Sequence, residues 1–242
     1  RRIRSSIEQH ILDQLEQIGG NLNLRQNRAL QSLRGLSSLD SVVGTVDITS
    51  NRQLLAIDGL DHLAVVGDTL AVRDNVMLKS LQALGNLQHT GDGLRIIGND
   101  DLLDLHGLEK LTNIDGGLFI NENERLESLT GLGNLRRIAG DLVIGNLVIF
   151  SASGSVILIG GNKGLATLAG LEELKEIGGH LDIIGNEVLA SLTGLAKLEG
   201  VGGNLRIAAN PLLRTSLADA FVEQLMNAGF AGEILVVELG EG

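Results

Sequence analysis

Leucine returns at intervals of 24 residues along most of this chain. Leu15, Leu39, Leu63, Leu87, Leu111 and Leu135 keep the spacing, and Leu174 and Leu198 resume it after one interruption, which makes eight copies. A fixed period of this length marks units that fold by stacking on copies of themselves. Three residues after each leucine stands an aliphatic side chain (Ile18, Val42, Val66, Ile114, Ile138, Ile177, Val201), with Thr90 the exception. Next come Leu22-Asn23-Leu24, Val46-Asp47-Ile48, Leu70-Ala71-Val72, Leu94-Arg95-Ile96, Leu118-Phe119-Ile120, Leu181-Asp182-Ile183 and Leu205-Arg206-Ile207. Their period of two is that of a strand with one face buried. Three more columns complete the unit: Leu30 to Leu213, Leu33 to Leu192 with Ile57 in the second copy, and Leu36 to Leu195.

A unit with about six apolar side chains cannot enclose a core alone, so the copies must bury one another. The expected fold is mainly β: a single parallel β-helix, or solenoid, of about eight 24-residue turns, spanning residues 1–242 as one domain. At ~4.8 Å per rung, eight rungs make a prism roughly 35–40 Å long. Glycines before the strand (Gly44, Gly116, Gly140) and before the last leucine (Gly59, Gly107, Gly131) mark corners. Asn27, Asn51, Asn75, Asn99, Asn123, Asn162, Asn186 and Asn210 fall three residues past the strand. Stacked amides there satisfy turn backbone and one another better than they make a ligand ladder.

Both ends carry lids in this reading. Ser5-Ser6-Ile7-Glu8 resembles a capping box, and Ile7, Ile11 and Leu15 lie at helical spacing, so a cap helix is expected over 1–17. At the back, Ser216 and Asp219 open a second helix with Leu217, Phe221 and Leu225 on one face, stopped by Gly229 and followed by a closing strand, 233–239. Between Leu135 and Leu174 the spacing is 39, so the sixth copy has 15 extra residues. The insert is expected at about 145–156, with Leu147–Val156 forming a hairpin around Ser151-Ala152-Ser153-Gly154-Ser155. It is too apolar for a solvated loop, so it must pack on the solenoid's flank or on another chain.

The string running from Gly131-Leu132 through Leu142, and again from Gly170-Leu171 through Leu192, resembles the receptor L-domain repeat, a leucine-rich-repeat-like family that includes bacterial surface proteins. The resemblance covers roughly residues 15–239. It implies a right-handed β-helix with helical caps and a role in extracellular or cell-surface binding or adhesion. The chain departs from the family in lacking cysteine and in carrying its private insert. No family ligand residue can be placed on a residue of this chain.

The net charge of −11 and pI near 4.9 oppose binding to nucleic acid or anionic membrane surfaces, and no apolar run reaches the ~18 residues of a membrane span. Without cysteine there is no disulfide, thiolate metal site or Cys nucleophile. Opening on Arg1, without a signal peptide, the chain is expected to be processed or trimmed. His10, His62, His89, His106 and His180 occupy different points of the repeat and are not expected to converge, and Asp100, Asp101 and Asp104 repeat in no other copy as a calcium set would. No enzyme, cofactor or metal is therefore expected. What remains is surface recognition. The outward strand positions form two stripes, polar at the ends and apolar in the middle; Leu158 is read as lying between Val143 and Asp182. The candidate binding residues are Ile97, Phe119, Val143, Leu147, Ile149, Phe150, Leu158 and Ile184, facing a protein or glycan. A spacer that dimerises through the insert is the alternative, and a glycan-active enzyme the third. Asp182 and Arg206 are expected as an ordinary surface pair.

Overall fold

A computed structural model describes residues 14–150 and 156–241, with 147–150 and 156–159 as backbone strands. The chain is a parallel β-solenoid. Its longest side is a nine-stranded sheet built in chain order from Leu22–Arg25, Val46–Thr49, Thr69–Arg73, Gly93–Ile97, Gly117–Asn121, Leu142–Gly145, Leu181–Ile184, Leu205–Arg214 and Ile234–Gly240. Each strand lies in register with its repeat equivalent: Leu70 beside Leu94, Leu118 beside Leu142, Leu142 beside Leu181. Among the described residues there are nine rungs, one more than the leucine columns count. The extra rung is the C-terminal strand, which departs from the repeat's sequence and still continues its parallel ladder, with Leu205 beside Ile234.

A second side consists of two-residue strands such as Gln17–Ile18, Ser41–Val42 and Glu176–Ile177, grouped into two four-stranded sheets. The expected N-terminal helix fails where it can be seen. Gln17, its last residue, is in the strand Gln17–Ile18 paired with Ser41–Val42, because Leu15 and Ile18 are repeat columns and rung stacking outweighs the helical spacing of Leu15 with Ile7 and Ile11. The rest of that expected helix lies outside the described residues. At the other end, the helix Thr215–Asn227 buries Ala218, Phe221 and Leu225 over the last core layer. Gln224 donates from its side-chain amide to the carbonyls of Leu195 and Leu198, satisfying the turn beneath it.

Inward side chains of every rung merge into one aliphatic core, with Ile96, Leu118, Ile120 and Leu142 wholly buried. Thr90 lies in this layer too, and its hydroxyl has no partner among the described residues. The glycine columns differ in cause. Gly131 has φ +116°, and a Cβ there would fall 2.0 Å from the Leu105 carbonyl oxygen. Gly116 keeps a negative φ, but a Cβ would meet the Asp92 carbonyl oxygen at 2.1 Å, so close stacking alone excludes a side chain.

The asparagines form the ladder their spacing implies. The Asn99 backbone N–H donates to Asn123 Oδ1 at 3.1 Å, and Asn99 Nδ2 donates to the Val72 carbonyl at 2.9 Å. The ladder crosses the interruption intact: the Asn123 N–H donates to Asn162 Oδ1 at 3.1 Å over 39 residues. Gly145 still pairs with Ile184, and Gly161 lies against Gly185, so the excess is residues 146–160. This excursion is tied at both ends: the Asn146 N–H donates to the Ile184 carbonyl, and the Glu122 N–H to that of Gly160.

Candidate functional site

The excursion forms an antiparallel hairpin, Leu147–Phe150 with Val156–Ile159, in a sheet of its own. Leu147 pairs with Ile159, Val148 with Leu158, Ile149 with Ile157 and Phe150 with Val156. The second strand thus runs three residues past the expected end, and the small-residue turn lies outside the described residues. Leu158 is a correction. Val143 pairs directly with Asp182, so Leu158 does not belong to the sheet's outward stripe. Alternation alone could not separate a third apolar run in the insert from a repeat strand, since both read as β.

Beside the base of the hairpin, the outward stripe is only partly open. Val143 and Ile184 point away from the core but are only 4% and 2% exposed, while Ile97 and Phe119 are half-buried. The hairpin leaves the sheet at Gly145, the register partner of Ile184. Asn121 closes the same corner by donating Nδ2 to the Gly145 carbonyl. The Phe119 ring lies above Gly117, where a Cβ would come within 2.6 Å of it, and the Arg95 guanidinium sits 5.3 Å from the ring centroid on the adjacent rung.

Toward the N-terminal end of this face lies a constellation that sequence reading missed. Asp47 points outward yet is buried, receiving hydrogen bonds from the Thr49 hydroxyl and Arg25, and from Arg73 at 3.3 Å. Burial would push its carboxyl up, but those hydrogen bonds and the charges of both arginines hold it below the usual carboxylate range. The signal was present as a register: Arg25 and Arg73 flank Asp47 on the rungs above and below, in the neighbouring column. Asp182 differs from expectation in the same direction. It is 5% exposed and receives a fork of two hydrogen bonds from Arg206, at 2.6 and 2.5 Å, so it is a covered pair rather than a solvated one.

Around the corner past the strands runs an acidic group. Gln26, Ser50, Asp74, Glu122 and Ala209 all have φ between +53° and +58° there. Burial, with Asp74 and Asp100, pushes the Glu122 carboxyl up; burial, with Glu124 and Asp101, does the same to Asp100. Neighbouring cations answer part of this charge: Arg125 pairs with Asp101, and Lys163 with Glu124. The described histidines have separate surroundings. His106 lies against Asp104 at 2.9 Å, His89 is 3.8 Å from Asp115, His180 Nδ1 accepts from the Asn204 N–H, and His62 lines a shallow polar groove with Glu16 and Asp40. Among the described residues no group of His, Asp and Glu is placed to hold a metal ion, and no helix is long and apolar enough to cross a membrane. Compared with protein-family models, curated proteins and solved structures, the chain matches none of them.

Proposed function

We propose that this protein is a non-catalytic recognition or adhesion module, of the receptor L-domain kind, that presents the outer face of its long sheet and the adjoining hairpin to a protein or glycan at the cell surface. The observation carrying this reading is the continuity of the solenoid across the insert. Leu142 stacks on Leu181 and Asn123 bonds Asn162, as they would with no insert there, so the hairpin adds nothing the scaffold needs to close. Apolar chain kept where the scaffold does not require it points to contact with something else. The binding surface is then Ile97 and Phe119 on the sheet, with Leu147, Ile149, Phe150 and Leu158 on the hairpin, while Val143 and Ile184 are already covered and drop out of it.

A second reading, a self-associating spacer, draws on the last rung. Ile234–Gly240 is an edge strand, with Leu235 and Val237 47% and 42% exposed, and such edges invite pairing with another chain. One experiment separates the two. Sedimentation velocity across a concentration series is run on the wild type, on a variant lacking 146–160, and on Leu235→Lys/Val237→Lys. A recognition module stays monomeric throughout, and only the deletion loses partner capture on a glycan array or in pull-down. A dimer that either change dissolves supports the spacer instead.

A further inference from the structure

The long sheet has two open edges, and they are unlike. The first strand, Leu22–Arg25, is four residues long and carries Arg25, with Arg28 close behind it. The last, Ile234–Gly240, is seven residues long and apolar on both faces, with Ile234, Leu235 and Val237 exposed. Neither Lys nor Pro guards it. Its backbone is half engaged. Along the stack, alternate residues bond to the rung after: Leu22 donates to the Thr45 carbonyl, Leu181 to that of Asn204 and Leu205 to that of Glu233. By this parity Leu235 and Val237 bond back to the eighth strand, while Ile234 and Val236 turn their N–H and C=O groups to the open side.

Glu238 shows the same vacancy at the corner. It keeps φ +55°, the left-handed setting of Gln26, Ser50, Asp74 and Ala209 at the equivalent place in their rungs. There the N–H donates to the next rung, from Gln26 to the Thr49 carbonyl, from Ser50 to that of Arg73 and from Asp74 to that of Ile97. Glu238 thus aims a donor at a tenth rung that the described residues do not supply. Charge and shape narrow what fits there. After Arg214 the sequence holds Asp219, Glu223, Glu233, Glu238 and Glu241 and no basic residue. None of the five joins an ion pair among the described residues. The helix Thr215–Asn227 packs on both last strands and is about 10 Å across, twice the ~4.8 Å that a strand adds. The end of the solenoid is therefore stepped: one more strand fits beside the helix, whereas the whole first rung of a second copy would meet it.

We propose that Ile234–Gly240 receives an extended basic peptide, a segment of a partner protein, as a tenth strand. Apolar residues at alternate positions of that peptide continue the column of Ile234 and Val236, and Lys or Arg at its ends lie beside Glu233 and Glu238. Backbone pairing supplies the affinity, and the acidic end selects the sign of the partner. The site is separate from the hairpin surface and gives this edge an occupant other than the second copy considered above.

The test is hydrogen exchange read amide by amide on the full chain, with and without the peptide KVTVTVK, whose affinity is measured by fluorescence anisotropy. In the free chain Leu235 and Val237 should be protected while Ile234, Val236 and Glu238 exchange freely, and saturating peptide should protect those three. Affinity should fall with added salt. N-methylating the five central amides of the peptide should abolish binding, and EVTVTVE should bind at least about fivefold more weakly, because like charges replace paired ones. Val236→Pro removes an N–H on the open side, where an edge strand tolerates proline, and should abolish binding with the fold retained. Glu238→Lys leaves the backbone donors in place and should weaken KVTVTVK while strengthening EVTVTVE. The proposal is overturned if the three amides gain no protection, or if the N-methylated or acidic peptide binds equally well. It is also overturned if those amides are protected in the free chain in proportion to its own concentration, the mark of a second copy on the edge. Capture lost on deleting 146–160 is a separate readout, so the recognition reading stands or falls independently of these results.

Discussion

At the scale of single residues, the stack treats polar groups by whether the next rung answers them. Each interior asparagine amide finds a donor on one neighbour and an acceptor on the other, which is why that column was legible from spacing alone. Thr90 is the opposite case, a hydroxyl in an aliphatic column with nothing to bond among the described residues. Thr90→Val keeps the shape and removes the unmet group, so it should raise stability by about 1–2 kcal/mol in urea unfolding; a lower value would mean that the hydroxyl has a partner in solution. The two carboxylate environments predict opposite pH behaviour. Asp47 has a depressed folded pKa, so its contribution is present at neutral pH and is lost as the pH falls through that value, below the usual carboxylate range. Asp47→Asn should therefore be costly at pH 7 and converge on the wild type in acid. Glu122 has a raised folded pKa, so its charge costs stability once the pH rises through the carboxylate range. Glu122→Gln should be neutral in acid and stabilising at pH 7. Neither role shows within a single repeat. The charged partners of Asp47 lie on other rungs in the other column, so they emerge only once the repeats are aligned, and the left-handed column of Gln26, Ser50, Asp74 and Glu122 shares backbone geometry without sharing chemistry.

At the scale of elements, repeat context outranks local pattern. Leu15 fits a helix with Ile7 and Ile11 by spacing, but it also heads a repeat, and by Gln17 the pairing with Ser41–Val42 has decided in favour of strand. The C-terminal helix escapes that rule because the repeat has already lapsed after Leu213, leaving Phe221 and Leu225 free to cover the exposed layer. Phe221→Ala should cost about 3–5 kcal/mol, the usual price of emptying an aromatic core site, and calorimetry should show a lower midpoint with the strand signal unchanged below it. An unaltered midpoint would mean the helix is not the lid. The hairpin was legible as two strands and a turn, but its boundaries were not. The limits emerge only when Gly145 and Gly161 are matched to the flanking rungs, which one sequence with three similar apolar runs cannot do.

At the scale of the whole molecule, the period alone conveyed the architecture: parallel strands, one continuous core, and glycine where backbones pass closest. It undercounted the rungs because Ile234–Gly240 reaches the ladder through a helix, with no leucine column to announce it. The functional surface was less legible, since Val143 and Ile184 are outward by parity and buried in fact. The account turns on a scaffold complete without its insert, and hydrogen exchange on a chain lacking 146–160 tests this most directly. Joining Gly145 to Gly161 restores the 24-residue spacing, so the amides of Leu142–Ile144 and Leu181–Ile183 should keep wild-type protection, opening only with the global unfolding of the stack. Loss of protection spreading from Gly145 into those rungs would show that the hairpin holds the solenoid together, and would contradict the account.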